Sequence, residues 1–157
     1  MCQSYGKEKM YKHILIATDG SALAQKGLEH GLELASRLGA AVTIATVTQR
    51  WSSLTMANEA KARKADPLDQ YRKQMEAYAG RILEASKKDA RDKGLDVRTV
   101  HVPDMDPAEG IIQTALKTGC DLIVMSSHGR RGAKRVILGS QTAEVVTLTT
   151  IPVLVIR

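Results

Sequence analysis

The stretch HILIATDGSALAQKGLEHGLELASRLGAAVTIATV, His13 to Val47, decides the fold. It begins with a short apolar run, His13-Ile14-Leu15-Ile16-Ala17, cut off by Thr18-Asp19-Gly20. A continuous run of this kind, without polar alternation, suits a strand covered on both faces. Ser21 then offers an oxygen to cap a helix, and Leu28, Leu32, Ala35 and Leu38 recur at helical steps until Gly39 stops the period. Ala41 to Val47 is rich in β-branched residues and predicts a second strand. Strand, helix and strand in this order form the crossover unit of a parallel sheet.

The alternation continues along the chain. Residues 49–66 are polar and rich in Ala and Lys, and they hold the only Trp. A connection longer than about 12–15 residues usually carries function or is disordered, so this segment is expected to order as a lid over a ligand. From Pro67, Leu68, Tyr71, Met75, Tyr78 and Ile82 mark a helix running to about Gly94, its apolar stripe directed into the core. Val97 to Val102 predicts a third strand, and Asp106 caps a helix that has Pro107 at its first position and ends near Gly119. Leu122 to Met125 is the fourth strand, Gly139-Ser140 starts another helix, and Pro152 to Ile156 is the fifth strand. Five strands alternating with four helices make an α/β fold: a parallel sheet, Rossmann-like, with helices on both faces. Residues 1–157 read as one domain. Ligands in such sheets sit beyond the carboxyl ends of the strands, where strand order reverses.

Charge and composition narrow the partners. The net charge is +6, and its surplus is local: Arg130, Arg131, Lys134 and Arg135 cluster, whereas most other cations alternate with acids. That balance favours anions. Nucleic acid is a weak candidate, because single-strand binders interleave aromatics with their cations and the basic segment has none. The two cysteines, Cys2 and Cys120, suggest reduced thiols. The N-terminus lacks an apolar signal core, and no apolar run approaches the ~18 residues of a membrane span. A cytoplasmic location without membrane association is expected.

The chemistry concentrates after the fourth strand, where Ser126, Gly129, Gly132 and Gly139-Ser140 follow one another. Glycines let backbone N–H groups approach an oxyanion closely, and a helix N-terminus adds unpaired donors and partial positive charge. This pattern allows a phosphate cradle; it equally allows a plain helix start with Ser140 as cap. It is neither a Gly-Lys-Ser/Thr loop nor a G-x-G-x-x-G fingerprint.

HILIATDGS, SSHGRRGAKRVILGS and the closing IPVLVIR together resemble the universal stress protein (UspA) family, in particular its ATP-binding branch with Gly-x2-Gly-x9-Gly-Ser/Thr. Gly129, nine residues, Gly139 and Ser140 match, while Ser126 stands where that pattern begins with Gly. The resemblance implies strand order 3-2-1-4-5 and ATP, with Mg²⁺ as its companion, bound by Ala17, Asp19, Val42, Met125, Ser126, His128, Gly129, Gly139, Ser140, Gln141 and Thr142. His128 would contribute chiefly its backbone, with its imidazole as the lesser reading. A homodimer joined through the C-terminal strand is also implied. No catalytic residue is evident, so the expected protein is a stress-response or regulatory module with little or slow hydrolysis. The alternatives are a slow ATPase and a dimeric stress protein that binds partners without nucleotide.

Overall fold

The computed structural model describes residues 10–50, 67–128 and 138–157. The lid expectation for residues 51–66 therefore lies outside the described residues, as do Gly129, Gly132 and the four clustered cations. Among the described residues nine elements alternate: β1 (His13–Ala17), α1 (Ala22–Leu38), β2 (Ala41–Val47), α2 (Pro67–Asp92), β3 (Val97–Val102), α3 (Pro107–Thr118), β4 (Leu122–Ser126), α4 (Ser140–Leu148) and β5 (Val153–Ile156). The sheet is parallel throughout, in the order β3-β2-β1-β4-β5. Pro152 precedes β5 rather than opening it, yet its carbonyl accepts from the Ile123 N–H at 2.9 Å.

Helix boundaries follow local chemistry. Ser21 Oγ accepts from the Ala24 N–H at 3.2 Å, and Asp106 Oδ1 accepts from the Ala108 N–H at 3.1 Å. Both helices so capped, α1 and α3, end on a left-handed glycine, Gly39 (φ 60°) and Gly119 (φ 69°), where a Cβ would be strained.

Alternate residues of each strand feed two cores. Ile14, Ile16, Val42, Ile44, Leu122 and Val124 meet Leu28, Leu32 and Ala35 of α1 and Leu83 and Ala90 of α2. Leu15, Ala17, Ala45, Ile123 and Met125 meet Ala108, Ile111 and Ala115 of α3 and Val145 of α4. The helices thus cover both faces, and Ile14, Leu15 and Ile16 have no exposed surface. Each such side chain contributes about 1.5–3 kcal/mol by leaving water. Among the described residues no helix is long and apolar enough to cross a membrane.

Packing of α1 onto β1 is close enough to decide which glycines are replaceable. A Cβ on Gly31 would stand 2.6 Å from Ile16 Cδ1, which is fully buried, whereas one on Gly80 meets nothing within 4 Å. Ala gains about 1 kcal/mol over Gly in a helix, but overpacking a filled core costs about 1–3 kcal/mol. Gly31→Val is therefore expected to lower the urea midpoint and Gly80→Ala to raise it; a stable Gly31→Val protein would contradict this packing.

At the opposite end of the sheet from the crevice described below, Asp121 accepts from the N–H groups of Lys12 (2.8 Å) and His13 (3.0 Å), tying β4 to β1. Burial pushes its carboxyl up, but those N–H donors outweigh burial and hold it below the usual aspartate value. A depressed folded pKa contributes stability above the unfolded value of about 3.9 that is lost as pH falls through the folded value. Asp121→Asn should therefore be less stable than wild type at pH 7. The gap in denaturation midpoint should narrow below about pH 4.

Candidate functional site

Strand order reverses between β1 and β4: β1 leads into α1 on one face and β4 into α4 on the other. In parallel sheets ligands sit at such a reversal, so the space beyond the carboxyl ends of β1 and β4 is the candidate crevice.

The β1 wall is held by backbone bonds from three directions. The Thr18 N–H donates to the Ala45 carbonyl at 3.0 Å, and Thr46 Oγ1 donates to the Thr18 carbonyl at 3.0 Å. Asp19 Oδ1 accepts from the Ser21 N–H at 3.0 Å, so the carboxylate also stiffens its own turn. From α2, the Tyr78 hydroxyl donates to the Asp19 carbonyl at 2.6 Å. Gly20 takes φ 75°, and a Cβ there would stand 2.9 Å from Ile82. Helix α2 thus clamps the Thr18-Asp19-Gly20 turn from beneath.

The β4 wall is stitched to the start of α4. The Ser127 N–H donates to the Ile156 carbonyl at 2.7 Å, and the Ser127 carbonyl accepts from the Gly139 N–H at 2.7 Å. Thr142 Oγ1 donates to the carbonyls of Ser126 (3.0 Å) and Ser127 (3.2 Å). The helix start lies so near the strand end that a Cβ on Gly139 would stand 2.9 Å from the Ser127 oxygen. Gly139 has φ −66°, so close approach, not backbone conformation, calls for glycine there. It is also the N-cap residue, with no side-chain cap bond; Ser140 is the first helical residue and is exposed, which removes it from the capping role. Helix α4 accordingly presents its first N–H groups without a side-chain cap.

Ser126 is the buried last residue of β4, paired with Ile156. Among described non-glycine residues only Asp104 has positive φ, so Ser126 occupies the first glycine position without backbone strain. Its hydroxyl donates to the His128 carbonyl at 2.8 Å and closes the turn.

The structure gathers Ala17, Asp19, Met125, Ser126, His128, Gly139, Ser140, Gln141 and Thr142 at or beside the ends of β1 and β4. Several have side chains committed elsewhere. Met125 packs in the α3–α4 core, and Gln141 Oε1 accepts from the Ala108 N–H at 2.8 Å, bracing α3.

Val42 does not join them. It pairs with Ile14 at the amino end of β2, and its side chain is buried against α1 and α2. That is roughly 10 Å along the strand from the level of Ala17. The carboxyl end of β2, Thr46 to Thr48, flanks the β1 loop instead: strand membership was legible in sequence, but the end facing the ligand follows only from register. Sequence reasoning also missed Ser127, Thr46 and Tyr78. Tyr78 was visible only as one member of the apolar stripe.

A separate concavity of about 300 Å³ opens beyond β2 and β3, lined by Thr48, Tyr71, Met75, His101 and Asp104 among others. Thr48 Oγ1 and His101 Nε2 are 2.8 Å apart, and burial holds the imidazole below its ordinary value against the opposing charges of Glu76 and Asp104. No residue predicted for the site lines it. Among the described residues no group of three or more His, Cys, Asp or Glu could hold a metal ion.

With fold and crevice defined, comparison with known proteins places the chain. The universal stress protein family model matches residues 10–157. Universal stress protein YxiE of Bacillus subtilis is 31% identical over 149 residues, which cover 94% of this chain and 100% of YxiE. Universal stress protein MJ0577 of Methanocaldococcus jannaschii is 28% identical over 156 residues, covering 94% of this chain and 96% of that one, and its solved structure superposes with a TM-score of 0.74. A universal stress protein solved in complex with cAMP shares the fold at a TM-score of 0.70 and 20% identity, covering 94% of this chain and 97% of that one. The chain belongs to the universal stress protein family.

Proposed function

We propose that this protein is a single-domain, cytoplasmic, ATP-binding regulatory module of the stress response, with the triphosphate lying across the start of α4. The observation that carries this reading is the helix start without a side-chain cap, drawn onto the β4 end at Gly139. Its free N–H groups and partial positive charge suit a phosphate, and a Cβ at Gly139 would push the two elements apart. Gly129, Ser140 and neighbouring backbone complete the cradle in this reading. Asp19, on the β1 wall, accepts from a ribose hydroxyl or the adenine amino group, or holds a water of the accompanying Mg²⁺. That a protein of this fold was solved with cAMP supports an adenine nucleotide as ligand.

The engagement of the described side chains supports binding without fast turnover. Hydrolysis needs a group that orients an in-line water. Ser126, Gln141 and Thr142 direct their polar atoms to backbone partners, and Asp19 Oδ1 accepts from Ser21. Calorimetric titration of nucleotide-stripped protein with Mg-ATP should show saturable binding, and ligand at 100 times Kd should stabilise the fold by about 2.7 kcal/mol. Gly139→Val should abolish both. A wild type that takes up no heat and gains no stability would overturn the reading in favour of a nucleotide-independent, partner-binding protein.

Dimerisation through β5 belongs to the same proposal. Among the described residues the strand pairs only with β4 and ends the sheet, and an open apolar edge tends to pair with another chain. Leu154 on β5 and Leu148 before it are 37% and 62% exposed. The carbonyls of Pro152 and Ile156 point to β4, so alternation turns the N–H groups of Val153 and Val155 outward. Val155→Pro removes an outward donor while leaving the β4 ladder intact. Light scattering should find a dimer for wild type and a folded monomer for Val155→Pro; a monomeric wild type would sink the proposal.

A further inference from the structure

One atom of the crevice remains unexplained by its packing. His128 Nε2 is buried and has no hydrogen-bond partner among the described residues. Buried polar atoms are satisfied in the great majority of cases, and leaving one unpaired is costly, so an exception asks what group completes it.

The neighbouring serine settles which kind of group. Ser127 Oγ lies 3.0 Å from His128 Nδ1, and Ser127 is only 2% exposed. Were Nδ1–H to donate to the hydroxyl, both the Ser127 proton and the Nε2 lone pair would be left without described partners. If the hydroxyl donates to Nδ1 instead, Nε2 carries the ring proton and a single unpaired donor remains. The second arrangement wastes fewer buried groups. The ring is placed for use: its Cδ2 lies 3.7 Å from where a Cβ on Gly139 would stand, so the edge bearing Nε2 lies against the N-terminus of α4.

We infer that the His128 imidazole is a direct ligand-binding group, its Nε2–H donating to a phosphate oxygen held at the start of α4. This deepens the nucleotide reading and rests on it; the anion and the buried N–H satisfy one another. Ser127 acts through the ring as a positioning residue, because its hydroxyl fixes the donor tautomer.

The test compares His128→Asn with His128→Gln, titrating each with ATP and with adenosine. Asn can replace Nδ1 but reaches no further, while Gln carries an amide N–H close to the Nε2 position. Loss of a hydrogen bond to a charged group should weaken ATP binding by about 10-fold or more in His128→Asn. Adenosine binding should be unchanged, and His128→Gln should restore most of the ATP affinity. Nitrogen-15 spectra of the imidazole should also show wild-type Nε2 protonated and shifted by ATP but not by adenosine. If His128→Asn binds ATP as tightly as wild type, or loses ATP and adenosine together, the assignment fails while the nucleotide reading stands. If wild type binds no ATP, the nucleotide reading fails and takes this inference with it.

Discussion

The hydrogen bond from the Gly139 N–H to the Ser127 carbonyl, 2.7 Å long, is the contact on which the crevice depends. It brings the amino end of a helix against the carboxyl end of a strand, where the positive pole of one meets the loop leaving the other. Thr142 reinforces it with bonds to the same carbonyl and to that of Ser126, and the absence of a Cβ at Gly139 permits it. Without that approach α4 could still cover the sheet, but its first N–H groups would not lie beside the β4 turn.

Rigidity in the surrounding walls is supplied by side chains that bond or pack against neighbouring backbone. Tyr78 and Ile82 hold the Asp19 turn from below, and Thr46 holds the Thr18 carbonyl from the side. Gln141 links the starts of α3 and α4. Among the described residues these polar groups are therefore engaged in holding the walls. His128 Nε2 stands apart, being buried yet unspent among the described residues.

Ser126 shows how a motif can change without loss of geometry. A glycine position in a phosphate loop suggests a need for positive φ, but here the residue ends a strand in ordinary backbone conformation. Its hydroxyl closes the following turn by bonding the His128 carbonyl. The substitution exchanges backbone freedom for a bond that tightens the loop.

The order of strands and helices was legible in the residues alone. Period and punctuation are local properties: the apolar run of β1, the caps Ser21 and Asp106, and the stops Gly39 and Gly119 all act within a few residues. The spacing from Gly129 to Gly139-Ser140 likewise marked where an anion could sit. What tertiary structure alone decided was which end of each strand faces the crevice and which side chains are already engaged. Val42 starts β2 as its sequence position indicates, and parallel register sets it beside Ile14, apart from the residues gathered at the ends of β1 and β4. Tyr78 reaches the Asp19 turn from a helix whose stripe reads as plain core, and Ser127 Oγ lies within hydrogen-bond reach of its neighbour's Nδ1. Such facts depend on groups distant in sequence meeting within about 3 Å, the reach of a hydrogen bond, and no local pattern encodes them.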